Sequence, residues 1–293
     1  MRLATIRTAT GTRAVRIDGT QAVETGDADV RALLDRPDWA THAASAAGPV
    51  HPVDELDYAP LVPAPEKILC VGQNYRDHIA EMGNEPPAYP TIFAKFAPAL
   101  VGAFDDIVLP AVSDAVDYEA ELAVVIGRPV RHATPEQADA AIAGYTVLND
   151  VSARDWQFRT SEFLQGKTFE HTTPLGPTLV TPDELPGGSW EISTEIDGEV
   201  RQRSHTGQMV FGPVDLVGYL STIMTLNPGD IIATGTPGGV GHARKPPRYL
   251  TDGATMVTAI AGIGSCRNVC RAEAPVDTGP VGTAPGDSAG ART

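Results

Sequence analysis

The sequence predicts an α+β protein that is mainly β, with a small leading α/β module and one larger strand-rich domain. Three observations carry that prediction. Apolar residues recur with period two in many short runs, which is the pattern of strands with a buried face. Helical patterns are few and short. Turns are frequent, with 29 Gly and 25 Pro among 293 residues, enough to punctuate the runs every few positions.

Composition narrows the function. At 42% hydrophobic and 20% charged, the chain can bury a sizeable core. Lys and Arg number 22 against 37 Asp and Glu, a net charge of −15 that, with no basic run, argues against a nucleic-acid partner. A small anionic substrate would need a local cationic feature. Apolar runs fall short of a membrane span, and residues 1–8 alternate like a strand rather than a signal peptide, so a cytoplasmic protein is expected. Cys70 lies in the apolar run I-L-C-V-G, and Cys266 and Cys270 lack the partners zinc requires.

The leading module spans residues 1–60. R-L-A-T-I-R-T, T-R-A-V-R-I-D and Q-A-V-E-T read as strands turned at Gly11 and Asp18-Gly19. A brief helix follows over 29–34 and resumes near Trp39. The proline-rich stretch 58–65 marks the linker into the main domain, residues 65–271, because proline breaks both helix and ladder.

That domain opens with K-I-L-C-V-G-Q-N-Y-R-D-H-I-A-E-M-G, a buried strand, a glycine turn and a helical turn. His78 and Glu81 are three apart and share a helix face. A carboxylate beside an imidazole orients it and raises its basicity, as a general base requires, although a surface ion pair has the same spacing. The loop N-E-P-P-A-Y-P would close over a site as a lid. Lys95, on the strand P-T-I-F-A-K-F, would meet a substrate carboxylate or snorkel at the edge.

The chemistry gathers between Asp117 and Asp150. In D-Y-E-A-E-L-A-V-V-I-G, Glu119 and Glu121 fall on one strand face, while Tyr118, Ala120, Leu122, Val124 and Ile126 form a wholly apolar other face. Carboxylates that close repel unless a cation sits between them. Asp150 follows a helix over 134–142, with Thr134 as its cap and Pro135 at its first position, and a second apolar run. Three oxygen donors select Mg²⁺, Mn²⁺ or Ca²⁺. Glu-x-Glu on a strand also fits a solvated edge face, and Asp117 could replace either glutamate.

Beyond Asp150, Arg154 and Gln157 lie one helical turn apart, and Lys167 follows a glycine, an exposed and flexible place for a cation. Each also fits ordinary surface polarity. Asp197-Gly198 marks a hairpin between 191–196 and 200–202. A helix over 214–222 precedes P-G-D-I-I-A-T-G-T-P-G-G-V-G, a strand ending in a glycine-rich loop with Thr234 and Thr236, whose N–H groups could approach an anion. The Gly-Lys-Ser/Thr ending of a P-loop is missing. His205 has no companions at metal-binding spacing. The last strands are M-V-T-A-I-A-G-I-G and R-N-V-C, and residues 272–293 read as a disordered tail.

Together, K-I-L-C-V-G-Q-N-Y-R-D-H, D-Y-E-A-E-L-A-V-V-I-G, G-Y-T-V-L-N-D-V-S-A-R-D, G-K-T-F and P-G-D-I-I-A-T-G-T-P-G-G-V-G resemble the fumarylacetoacetate hydrolase family over about residues 67–269. The resemblance implies a mixed β-roll with short helices, usually a homodimer. It implies Glu119, Glu121 and Asp150 as metal ligands for Mg²⁺ or Mn²⁺, against Asp117, and His78 with Glu81 as the dyad that activates water. Arg154, Gln157, Lys167, Thr236 and Lys95 match positions that grip a 2-oxo acid. The activity it suggests first is hydrolysis of a C–C bond in 2,4-dioxo acids of the acylpyruvate or fumarylpyruvate type, with Lys167 and the glycine-rich loop holding developing negative charge. The same chemistry without water attack would isomerise a dienoate of the hydroxyheptadienedioate or carboxymethyl-oxo-hexenedioate type, or decarboxylate oxaloacetate. A binding protein without turnover would have no use for the His78 base.

Overall fold

The computed structural model describes residues 1–274. Its backbone is an eleven-stranded mixed sheet, a five-stranded sheet and a two-stranded ribbon. Ala120–Ile126 lies at the middle of the large sheet, between Ile142–Asn149 and Ile231–Ala233. Ile68–Gly72 pairs in parallel with Ile231–Ala233, and Thr91–Lys95 closes that side. The five-stranded sheet runs Glu199–His205, Glu191–Ile196, Thr255–Ile260, Gly264–Ala272, Ile107–Leu109.

Burial explains why Ala120–Ile126 is central. Ala120, Leu122, Val124 and Ile126 enter a core shared with Ile192 and Ile260 of the smaller sheet and with Leu216, Val217 and Leu220 of the helix Pro213–Ile223. Ala123 and Val125, on the glutamate face, enter a second core with Val30, Leu33 and Leu34 of the first helix. All seven residues are buried, so the strand is covered on both faces and the solvated-edge reading of Glu-x-Glu falls.

The leading segment joins the same sheet. Its meander, Arg2–Thr8, Gly11–Asp18, Gln21–Glu24 and Val50–Pro52, is attached edge-on where Arg2 and Leu3 pair with Val180 and Leu179 of Thr173–Val180. That receiving strand, T-P-L-G-P-T-L-V, went unread in the sequence because Pro174 and Pro177 interrupt a strand pattern. Its ladder with Ile142–Asn149 shifts register between Tyr145 and Val147, which accommodates a proline that cannot donate.

The local signals read well. Asp29 caps Val30–Leu34, and the chain turns helical again at Trp39–Ala44. Thr134 caps Pro135–Ala141 in a capping box with Gln137. Asp197 and Gly198 take φ of 52° and 79° between paired strands, the geometry of a two-residue hairpin. The run M-V-T-A-I-A-G-I-G instead ends as a strand at Ile260, turns, and resumes at Gly264. Ala272 and Glu273 still belong to the ordered chain: Ala272 ends its strand and Glu273 donates its N–H to Leu109 O at 2.9 Å. Residues 275–293 of the expected tail lie outside the described residues.

Candidate active site

The register of the two central strands assembles the acidic cluster. Ala120 pairs with Asn149, so Asp150 arrives beside Glu119 and donates its N–H to the Glu119 carbonyl at 2.8 Å. One oxygen from each of Glu119, Glu121 and Asp150 lies within 4.8 Å of the other two, and all three residues are buried. Asp117 does not join them. The strand Val116–Asp117 pairs with Ser152–Ala153 and is separate from Ala120–Ile126, so the face shared on paper is broken at Tyr118 and Glu119. Asp117 instead accepts the N–H groups of Gly241 and His242 and the Nε of Arg154.

Buried cations answer the carboxylates. Lys167 Nζ donates to Glu119 and Asp150, at 2.8 Å each. Lys95 Nζ donates to Asp150 at 2.6 Å and to the Val151 carbonyl. Arg154 spans Asp117 and Glu119, at 2.9 and 2.7 Å. Four carboxylates therefore face three cations, and the excess negative charge sits at Glu121, whose only hydrogen bond among the described residues comes from Gly235 N–H at 2.7 Å. Burial opposes ionisation of Glu119 most strongly, yet Lys167 and Arg154 outweigh it and hold its pKa at about 2. Glu121 is pushed well above the carboxylate range by burial first, then by Asp150 and Glu119. A carboxyl kept from ionising by burial and by its acidic neighbours, amid hard oxygen donors, fits a divalent cation such as Mg²⁺, whose charge would favour the ionised form.

Two expectations are corrected. Lys167 is 2% exposed, not exposed and flexible. Its glycine serves packing, since a Cβ on Gly166 would run into the Gln157 amide nitrogen and the Ala153 carbonyl, and so Leu164–Lys167 can lie against Arg154–Gln157. Lys95, also 2% exposed, does not snorkel at an edge: it is the buried counter-charge of Asp150 and is not among the residues that line the cavity.

A cavity of about 620 Å³, measured out to its open mouth, brings the remaining residues together. Glu119, Glu121, Lys167, Arg154, Gln157, Thr236 and His78 line it. His78 comes from the helix Arg76–Glu81, with its Nδ1 3.2 Å from Glu81 Oε2. Glu81 in turn accepts Gly239 N–H at 3.0 Å, and Asp77 accepts the Ser204 hydroxyl at 2.6 Å, which fixes the helix against the glycine-rich loop and the strand Glu199–His205. That loop does bind anions through its N–H groups, but they are the protein's own: Glu121, Glu81 and Asp117. The loop expected as a lid sits elsewhere, with Tyr89 exposed against Tyr219 (ring centroids 6.5 Å apart), while Met82 reaches the cavity.

Sequence reasoning missed the groups that brace this site from a distance. Asn149 accepts Glu119 N–H, and Gln202 accepts Ala120 N–H while donating to Thr236 Oγ1 and Pro237 O. Asn149 left a faint signal, a polar residue ending an apolar strand beside Asp150. Gln202 left none, because Ala120, Thr236 and Pro237 lie tens of residues away along the chain. Phe93, Phe158, Phe163 and Val240 supply apolar wall.

A mainly β roll whose cavity is lined by His78 and by two members of a buried acidic triad able to hold a metal ion has the make-up of an enzyme. The chain belongs to the fumarylacetoacetate hydrolase family: the model for the fumarylacetoacetate (FAA) hydrolase C-terminal region matches residues 67–271. The human protein named oxaloacetate tautomerase FAHD2A, mitochondrial, is 44% identical over 248 residues, 84% of this chain and 77% of its own. A fumarylacetoacetate hydrolase from Exiguobacterium antarcticum superposes with a TM-score of 0.84 at 32% identity, over 93% of this chain and 100% of that one. The 5-carboxymethyl-2-hydroxymuconate delta-isomerase of Mycobacterium smegmatis does so at 0.79 and 35%, with the same coverage. Among the described residues, no helix is long and apolar enough to cross a membrane.

Proposed function

We propose that the chain is a divalent-cation-dependent isomerase that moves a proton next to the 2-oxo group of a small dioic 2-oxo acid, as in keto–enol interconversion of oxaloacetate. One observation carries this reading: His78, oriented by Glu81, opens onto the same cavity as Glu119, Glu121 and Lys167. The names of the relatives, an oxaloacetate tautomerase and a hydroxymuconate isomerase, support it over the C–C hydrolysis suggested first by the sequence. Hydrolysis needs a positioned water as well, whereas a proton shift needs only the base and stabilised negative charge.

Glu119, Glu121 and Asp150 would hold Mg²⁺ or Mn²⁺, which supplies positive charge for an oxyanion on the substrate. His78 Nδ1 is engaged by Glu81, which leaves Nε2 to take the proton from the substrate carbon and return it to oxygen. Gln157 accepts from Arg154 through Oε1 and keeps its amide donors, and Thr236 accepts from Gln202 and keeps its hydroxyl proton. Both suit the substrate's 1-carboxylate. Lys167 keeps the floor assembled. The homodimer implied by the family resemblance is part of the same proposal and is read by light scattering.

The test follows keto–enol interconversion of oxaloacetate by ultraviolet absorbance with Mg²⁺, with EDTA, and in His78→Ala. EDTA-sensitive acceleration is expected, with His78→Ala slower by roughly 10²–10⁴-fold while Mg²⁺ still binds. Cleavage of acetylpyruvate to pyruvate and acetate, without acceleration of oxaloacetate enolisation, would return the assignment to hydrolysis.

A further inference from the structure

The polar side chains on the cavity wall are nearly all spoken for. His78 is engaged by Glu81, Gln157 by Arg154, Thr236 by Gln202 and His242 by Tyr249. Gln73 is the exception: it lines the cavity, and among the described residues its carboxamide has no hydrogen-bond partner. Its backbone is exceptional too, with φ of 53°, a left-handed conformation that an unbranched L side chain adopts only at a cost.

The surroundings impose that conformation. Asn74, fully buried, donates to the Phe211 and Thr234 carbonyls and accepts the Phe211 N–H, so the turn after Ile68–Gly72 is clamped between two loops. Glycine would fit such a turn without strain. A strained glutamine whose amide has no hydrogen-bond partner among the described residues, on the wall of the candidate active site, indicates a side chain kept for a ligand. The amide offers both a donor and an acceptor, and the neighbouring wall of Phe93, Phe158 and Phe163 offers neither.

We infer that Gln73 is a specificity-determining residue whose carboxamide hydrogen-bonds the distal polar group of the substrate, the second carboxylate of a dioic 2-oxo acid. This deepens the proposed function and rests on it for the identity of the substrate. The assignment separates 2-oxo acids by their far ends: a distal carboxylate gains a hydrogen bond that an apolar end cannot make.

The experiment measures kcat/KM for enolisation of oxaloacetate and of phenylpyruvate in the Mg²⁺-loaded wild type, Gln73→Gly, Gln73→Leu and Gln73→Asn, with thermal melts of each. The expected result is an oxaloacetate-to-phenylpyruvate ratio lowered about tenfold or more in Gln73→Gly and Gln73→Leu, carried mainly by KM, while Gln73→Gly melts no lower than wild type. Gln73→Asn tolerates the left-handed backbone and shows whether amide reach matters. A ratio within about twofold of wild type in folded Gln73→Gly overturns the inference. If the wild type turns over neither acid, the parent reading fails, and titration calorimetry of oxaloacetate decides for Gln73 alone: weaker binding by Gln73→Gly supports it and equal binding sinks it.

Discussion

The floor of the cavity and its rim are built by different physics. The floor is a set of charges at the middle of a sheet covered on both faces, where Glu121 and Asp150 are 1% and 0% exposed and every cation is tied to a carboxylate. The rim is a six-residue helix carrying His78 and Glu81, partly open to solvent and fixed by a few hydrogen bonds to the glycine-rich loop. In the interior an unpaired charge is expensive, so the floor is a stability element as well as a candidate binding site. At the rim the same residue types contribute little to folding and are free to serve chemistry.

The largest expected effect tests the floor. Lys95→Ala leaves Asp150 buried without one of its two cations and should lower the unfolding free energy by roughly 3–5 kcal/mol in denaturant titrations, with His78→Ala below about 1 kcal/mol. Similar losses in the two variants would erase the distinction between floor and rim.

The next effect sharpens it through pH and metal. Glu121 is raised above its ordinary 4.5, so its ionisation in place disfavours the native state and stability declines as pH climbs above that value. Glu119, held at about 2, acts oppositely: its contribution is present above 4.5 and lost as pH falls toward 2. Mg²⁺ at about 100 times Kd should add about 2.7 kcal/mol and remove the decline at higher pH. In Glu121→Gln most of the Mg²⁺ response should vanish, and the metal-free protein should lose its alkaline decline. An undiminished Mg²⁺ shift in melts of Glu121→Gln would place the ion elsewhere.

The smallest effect is a control outside both regions. Thr134 caps its helix by accepting Gln137 N–H at 3.3 Å, so Thr134→Ala should cost about 1 kcal/mol and leave kcat and the Mg²⁺ response unchanged. A changed Mg²⁺ response would couple that helix to the floor.

How much was legible followed the range of the interactions. The caps at Asp29 and Thr134, the Asp197-Gly198 turn and the alternation of Ala120–Ile126 depend on neighbours a few residues away, and the sequence displays them directly. The pairing of Glu119 and Glu121 was visible as a shared strand face, and His78 with Glu81 as a shared helix face. The choice against Asp117 was not visible in the residues themselves, because the break after Asp117 comes from its pairing with Ser152–Ala153. The burial of Lys95 and Lys167 was misjudged for a similar reason. A lysine next to a glycine or near a strand end reads as exposed until the carboxylates that draw it inward are placed.

The sequence by itself determined a mainly β chain with short capped helices and a strongly acidic balance, because period, capping and charge are local or additive properties. Only the tertiary structure decided which carboxylates converge, which cations neutralise them and which cavity amide is left without a hydrogen-bond partner among the described residues. Those outcomes depend on strand register and on burial, since a charge or an amide takes its meaning from partners that lie tens of residues away along the chain.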